Sequence, residues 1–127
     1  MRNISKIIIV ISLFLLSACS SEDEGSVSKH INQDVEKVNI VNGENGEQVV
    51  ITNVSEVNEI VQYLDSISVI PTNNKDLKGY SYKIDLINEK ETVNTIILIG
   101  NYLKIDSQYF ESKNEINTDI LKDLMTK

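Results

Sequence analysis

Gly79-Tyr80-Ser81-Tyr82-Lys83-Ile84-Asp85-Leu86, followed after a polar break by Thr92-Val93-Asn94-Thr95-Ile96-Ile97-Leu98-Ile99 and then by Gly100-Asn101-Tyr102-Leu103-Lys104-Ile105, decides the fold. Tyr80, Tyr82, Ile84 and Leu86 alternate with Ser81, Lys83 and Asp85, which is the period of a strand with one apolar and one wet face. Asn88-Glu89-Lys90-Glu91 reads as the turn into a second strand. Its run Ile96-Ile97-Leu98-Ile99 is apolar on both sides and predicts a central strand covered on each face. Gly100-Asn101 suits a two-residue turn of the II′ kind. Leu103 and Ile105 continue the alternation, Ser107-Gln108 offers a further turn, and Tyr109-Phe110 begins a last strand. This half of the chain therefore predicts an antiparallel meander of about four strands.

Working outward toward the N-terminus, Val38 and Ile40 alternate with Lys37 and Asn39. Asn42-Gly43-Glu44-Asn45-Gly46 breaks the run, and Val49-Val50-Ile51 resumes it as a hairpin. Asn53 with Glu56 three residues on resembles a capping box. Val57, Ile60, Val61 and Leu64 then fall on one helical face, which Ile67 extends. Pro71 with Thr72-Asn73-Asn74 marks a surface loop. A C-terminal helix is expected from about Asn117, with Ile120, Leu121, Leu124 and Met125 as its apolar stripe. The expected fold is α+β: ββα, about four antiparallel strands and a closing helix, with the helices on one face of the sheet.

The first nineteen residues read as an address. Arg2 and Lys6 precede the apolar run Ile7 to Leu16 (IIIVISLFLL). As a helix those residues would rise about 15 Å, half a bilayer core, so the run suits a signal peptide rather than a spanning helix. Leu16-Ser17-Ala18-Cys19 resembles the lipobox of bacterial lipoproteins. That resemblance implies cleavage between Ala18 and Cys19 and a diacylglyceryl thioether on Cys19. The implied place is the outer face of the cytoplasmic membrane of a Gram-positive bacterium. The organisation is then a signal peptide over 1–18, a lipid-anchored flexible tether over 19–33 and one domain over 34–127. In the same way, Val49–Leu64, Gly79–Ile84, Ile97–Ile105 and Tyr109-Phe110, ending in a short Ile/Leu helix, resemble a family of small uncharacterised Firmicute lipoproteins. That family carries no assigned activity. Some small lipoproteins of this general kind are encoded on mobile elements and protect the host surface.

Composition narrows the function classes. The 127 residues carry 12 Lys plus Arg against 19 Asp plus Glu, a formal charge of -7, with a single His, a single Cys and no Trp. Losing Arg2 and Lys6 with the leader leaves 10 Lys, no Arg and a balance of -9. Nucleic acid is a poor partner for such a chain, because phosphate contacts need clustered Lys and Arg. A Ser-His-Asp or Cys-His system needs a base beside a nucleophile. Here the lone His30 lies in the expected tether as a solvated residue, and Cys19 is the lipid site. Asn42–Glu47 fails as a calcium loop, since counting from Asn42 puts Gly46 at position 5, where a ligand belongs, rather than at 6. Asp85, Glu89, Glu91, Asp106 and Glu111 are carboxylates that a glycosidase could use. In so acidic a chain, close pairs arise by chance, and solvated turns are the simpler reading. No enzyme activity, metal or cofactor is therefore expected.

The tyrosines carry more. Tyr80 and Tyr82 share a phase with Ile84 and Leu86 and are expected in the core. Tyr102 is out of phase with Leu103 and Ile105, and Tyr109 with Phe110, so one of each pair faces outward beside Lys104 and Asp106. Exposed Tyr is a common interface component, although cross-strand packing would use the same residues. Tyr102, Lys104, Asp106 and Tyr109 form the candidate partner-binding set. The expected function is a membrane-anchored, non-enzymatic module that binds a protein at the cell surface, in its most concrete form an exclusion or immunity factor. An accessory subunit of a resident envelope machine and a small-ligand receptor are the alternatives.

Overall fold

The computed structural model describes residues 24–32, 34–89 and 91–127. The expected leader and Cys19 lie outside them. Eight strands form one antiparallel sheet: β1 (Gly25–Ser26), β2 (Lys37–Asn42), β3 (Gln48–Ile51), β4 (Ser68–Pro71), β5 (Tyr82–Asn88), β6 (Glu91–Ile99), β7 (Tyr102–Ile105) and β8 (Gln108–Ser112). A 3-10 turn spans Val27–His30, and the helices are α1 (Val54–Asp65) and α2 (Asp119–Met125). The spatial order is β1-β4-β8-β7-β6-β5-β2-β3. The α+β class and antiparallel sheet are as expected, but the sheet is larger than the predicted strand count, because β1 and β4 extend it beyond β8.

Cross-strand register sorts the side chains into two faces. Val38 and Ile40 of β2 stand opposite Leu86 and Ile84 of β5. Ile84 and Tyr82 in turn face Ile96 and Leu98 of β6. Leu98 faces Leu103 and Ile96 faces Ile105, while Leu103 faces Phe110 of β8. All of these are buried in one cluster with Val57, Ile60 and Leu64 of α1 and Leu121 and Leu124 of α2. One sheet face thus takes both helices, as the apolar periods require.

Local chemistry sets the ends of α1. The Asn53 side chain accepts from the N–H groups of Ser55 (2.9 Å) and Glu56 (3.3 Å), an N-cap. Glu56 instead pairs with Lys127 at 3.3 Å, tying the chain's end to the first turn of α1. At the far end Ser66 N–H donates to the carbonyls of Gln62 and Tyr63. Ile67 lies just past the helix and is buried in the turn that leads to β4.

Two turns also follow the sequence logic. Ile99 pairs with Tyr102 across two residues, and of these only Gly100 has a positive φ, 60°, as a II′ turn requires. At the next corner Asp106 takes φ 54°, a conformation Asp tolerates better than most residues.

Several expectations fail, each for a physical reason. The presumed tether is part of the domain from Gly25 to His30. Gly25 and Ser26 pair with Val69 and Ser68, Val27 N–H donates to Ile67 O at 2.9 Å, and the Val27 side chain is fully buried. His30 is half-buried rather than free in a tether; its ring packs on Phe110 with centroids 4.6 Å apart. Tyr80 precedes β5 and is 39% exposed, so it is not core. The strand β6 is covered on one face only, leaving Ile97 and Ile99 half-buried on the other.

Gly43 fixes the hairpin against the start of β5. Its N–H donates to Ser81 O at 2.8 Å, and a Cβ there would stand 1.8 Å from the Tyr80 carbonyl oxygen. Gly46, at φ 74°, has open space around it. Gly43→Ala is expected to destabilise the fold by more than about 2 kcal/mol. Gly46→Ala is expected to cost only the left-handed penalty of about 1 kcal/mol. Thermal unfolding of the two variants separates backbone collision from conformational strain, and equal losses would show that Gly43 has no special role.

Candidate functional site

The second sheet face carries no helix among the described residues. Register places Tyr102 between Ile99 and Glu111 and Lys104 between Ile97 and Tyr109. Ile97 is followed by Lys83 and then by Val41. These side chains make a band of half-buried apolar and aromatic groups interleaved with Lys. The Lys104 ammonium sits over the Tyr109 ring, 5.5 Å from its centroid, close enough for a cation–π contact. Beside this band runs a polar stripe. Thr95 Oγ1 donates to Asp85 Oδ1 at 2.7 Å, and Lys83 lies 4.0 Å from the same carboxylate group. Across from Asp85 stands Asn39, whose buried Oδ1 has no hydrogen-bond partner among the described residues.

Of the four predicted partner-binding residues the structure therefore brings three together. Tyr102, Lys104 and Tyr109 share the open face. Asp106 does not join them: it holds the β7–β8 corner, accepting from Thr95 N–H at 3.0 Å and from Asn94 Nδ2 at 2.7 Å. Asn94 is buried on the helix side, and its Oδ1 takes the Asn32 N–H at 2.6 Å. This chain of bonds pins the N-terminal segment to the meander, a role that sequence periodicity cannot reveal. Glu111 lies on the open face beside Tyr102, and Glu89 and Glu91 flank the β5–β6 turn.

A concavity of about 550 Å³ lies between the end of α1, the start of β4 and the 113–118 segment. Tyr63, Ile67, Ile116 and Ile120 line it together with Glu59, Glu115 and Asp119. Tyr63 donates its hydroxyl to Asn117 O at 2.6 Å. Burial, reinforced by charge on neighbouring Tyr82, pushes the Tyr63 phenol up to about 12. Tyr82 is raised as well, by burial and then by Glu44. No group of three or more His, Cys, Asp or Glu among the described residues is placed to hold a metal ion, and no described helix is long and apolar enough to cross a membrane.

No known family model, curated protein or solved structure matches the chain.

A raised phenol pKa favours the neutral, folded form. The stability from Tyr63 is therefore fully present below about pH 10, its unfolded value, and is lost as pH rises from there through about 12. Tyr63→Phe removes that titration and the Asn117 bond together. The expected result is a lower melting temperature at pH 8 and a shallower further fall between pH 10 and 12 than the parent shows. Parallel alkaline curves would contradict the assignment.

Proposed function

We propose that the protein is a lipid-anchored extracytoplasmic binding module, tethered through Cys19, whose open sheet face engages another protein at the cell surface. One observation carries this reading: a band of Ile97, Ile99, Tyr102 and Tyr109 is left without a helix on a face that also presents Lys83 and Lys104. Aromatic and aliphatic side chains on a rigid sheet give contact area at little entropic cost, and the lysines set orientation. A helix-covered sheet of the same sequence class would have buried those groups in its own core.

The charge distribution adds to the case. The open face offers Lys37, Lys83 and Lys104 beside Asp85 and Glu111, while the chain as a whole stands at -7. That local excess of cations favours a partner with an apolar centre and an acidic rim. Within this reading, the most concrete role is exclusion or immunity: occluding a component of an incoming conjugation, phage or toxin apparatus. Service as an accessory subunit of a resident envelope machine uses the same face and differs only in the partner.

The anchor is short. With Gly25 already in the sheet, five residues separate it from Cys19, a reach of about 20 Å at full extension over the six Cα–Cα steps. Such a leash holds the module close to the bilayer and concentrates it there.

Photo-reactive residues at Tyr102 and Tyr109 of the full chain in cells, with one at Ser55 on α1 as control, test the face directly. One dominant partner at 102 and 109, absent at 55, is expected, and its identity separates an invading component from a resident one. Cys19→Ala is expected to abolish labelling by radioactive palmitate and to release the chain from the membrane. A blank at both tyrosines, or the same capture at 55, would remove the open face from the proposal. Retention of the palmitate label in Cys19→Ala would remove the anchor.

A further inference from the structure

The two ends of the sheet are unlike. On one side the edge is β1, two residues long. On the other it is β3, Gln48-Val49-Val50-Ile51, an uncharged and largely apolar strand without Pro. Natural edges are ordinarily blunted by Lys, Pro, a bulge or a covering element. None of these protects β3 among the described residues.

Ladder parity shows what the edge presents. Asn42 N–H donates to Glu47 O at 2.8 Å, and the β2–β3 register pairs Ile40 with Val49 and Val38 with Ile51. Residues 49 and 51 therefore turn their backbone groups toward β2. The N–H and C=O of Gln48 and Val50 point out of the sheet, where no further strand lies. Side-chain exposure falls in the same place. Val50 is 57% exposed and Val54, at the start of α1, is 75% exposed. With Tyr80 they are the large hydrophobic side chains most exposed among the described residues.

We propose that this edge pairs with the same edge of a second copy of the chain, joining two sheets through antiparallel β3 strands. The outward parity of Gln48 and Val50 selects the register. Val50 meets its own equivalent on the two-fold axis, exchanging both backbone hydrogen bonds, and Gln48 stands across from Thr52 of the other copy. Charge makes the arrangement self-compatible. Two bodies of formal charge -7 repel over most of their surfaces, but Gln48 to Asn53 contains no ionisable group. In this register Glu47 lies across from Asn53 of the other copy, the N-cap of α1. Its carboxylate meets the positive end of a helix dipole rather than another acid. The contact is short beside a standard interface of about 1,600 Å², so the pairing is a concentration-dependent one.

Full-length chain in detergent micelles, followed by sedimentation across a concentration series, reads the pairing. A monomer–dimer equilibrium is expected. Val50→Lys is expected to weaken it at least about tenfold by setting like charges directly opposite each other. Asn73→Lys, an equal charge change in an exposed loop, is expected to leave it intact. Circular dichroism melts confirm that both variants fold. In cells, Val50→Cys is expected to cross-link to a homodimer on mild oxidation and Asn73→Cys is not. A strictly monomeric parent, equal effects of the two lysines, or cross-linking of Val50→Cys to a different protein would each overturn the proposal. None of these readouts involves Tyr102 or Tyr109, so failure here is distinguishable from failure of the open-face reading.

Discussion

An eight-stranded sheet about 38 Å across has only two helices to cover it, of twelve and seven residues. At 1.5 Å per residue they extend about 18 and 10 Å, enough for one face and not for two. This limit on coverage governs everything else in the molecule. It explains why the apolar residues of β2, β5, β6, β7 and β8 divide cleanly, with one alternate set fully buried under α1 and α2 and the other half-buried. The helix-side core, from Val38 and Ile51 at one end to Val69 and Phe110 at the other, is continuous and nearly pure hydrocarbon. The stability of such a layer pair comes from area removed from water, at roughly 25 cal/mol per Å². The few polar bonds that cross it specify position rather than supply the driving force.

Asn94 is the clearest of these positional bonds. A buried amide is costly unless both of its ends are satisfied. Here one end takes the Asn32 N–H and the other gives to Asp106. The consequence is that the segment before β2 has one place to dock, with Val27 in the core and His30 against Phe110. A second device sits at the other end of that segment, where Ser28 Oγ and Ser26 Oγ reach the end of α1 through the Asp65 side chain and carbonyl. Together they convert a polar stretch into a structural edge and shorten the distance between the domain and Cys19.

How far the sequence foretold all this varies with the range of the interactions. The β5–β7 meander was legible because alternation and a two-residue glycine turn are local signals, and α1 because its cap and its stripe lie within twelve residues. Ile96-Ile97-Leu98-Ile99 misled for the opposite reason. Four consecutive apolar residues state what the strand contains and not how many layers the chain can spare to cover it, so Ile97 and Ile99 were expected in a second core. Val27 lies alone in a polar run, and its burial depends on a β1–β4 pairing more than forty residues away in sequence. Tyr80 kept the right phase but lies before the strand begins, where its backbone packs closely against Gly43. Among the candidate site residues, the outward phase of Tyr102 and Tyr109 was legible. The diversion of Asp106 into the β7–β8 corner was not, because its partners sit on another strand.

The open face and the β3 edge acquire a joint meaning from symmetry. A two-fold axis relating antiparallel strands through a hydrogen-bonded pair stands perpendicular to the sheet, and it keeps equivalent side chains on the same side. In the proposed pairing the two open faces therefore merge into one surface of sixteen strands, with Val50 at its centre and Tyr102, Lys104 and Tyr109 repeated on either side. The β1 edges, and with them the approach to each Cys19, fall at the two opposite extremes. With the proposed anchor on Cys19, two chains related by that axis enter one bilayer symmetrically when the axis runs along the membrane normal, which lays the joined sheet parallel to the membrane. The open face then looks either straight out or straight in. A net acidic body is repelled by anionic headgroups, but the open face carries Lys37, Lys83 and Lys104 against Asp85 and Glu111, so total charge alone does not set the orientation. The acidic helix layer would itself favour the outward direction, through the exposed Glu59 and Asp65 of α1 and Asp119 and Asp123 of α2. The cost of turning the open face away from the bilayer instead would fall only if a protein partner neutralised its lysines. Under the proposed pairing and anchor, partner binding and orientation would be coupled, since engagement at Tyr102 and Tyr109 on one copy would present the same surface on the other.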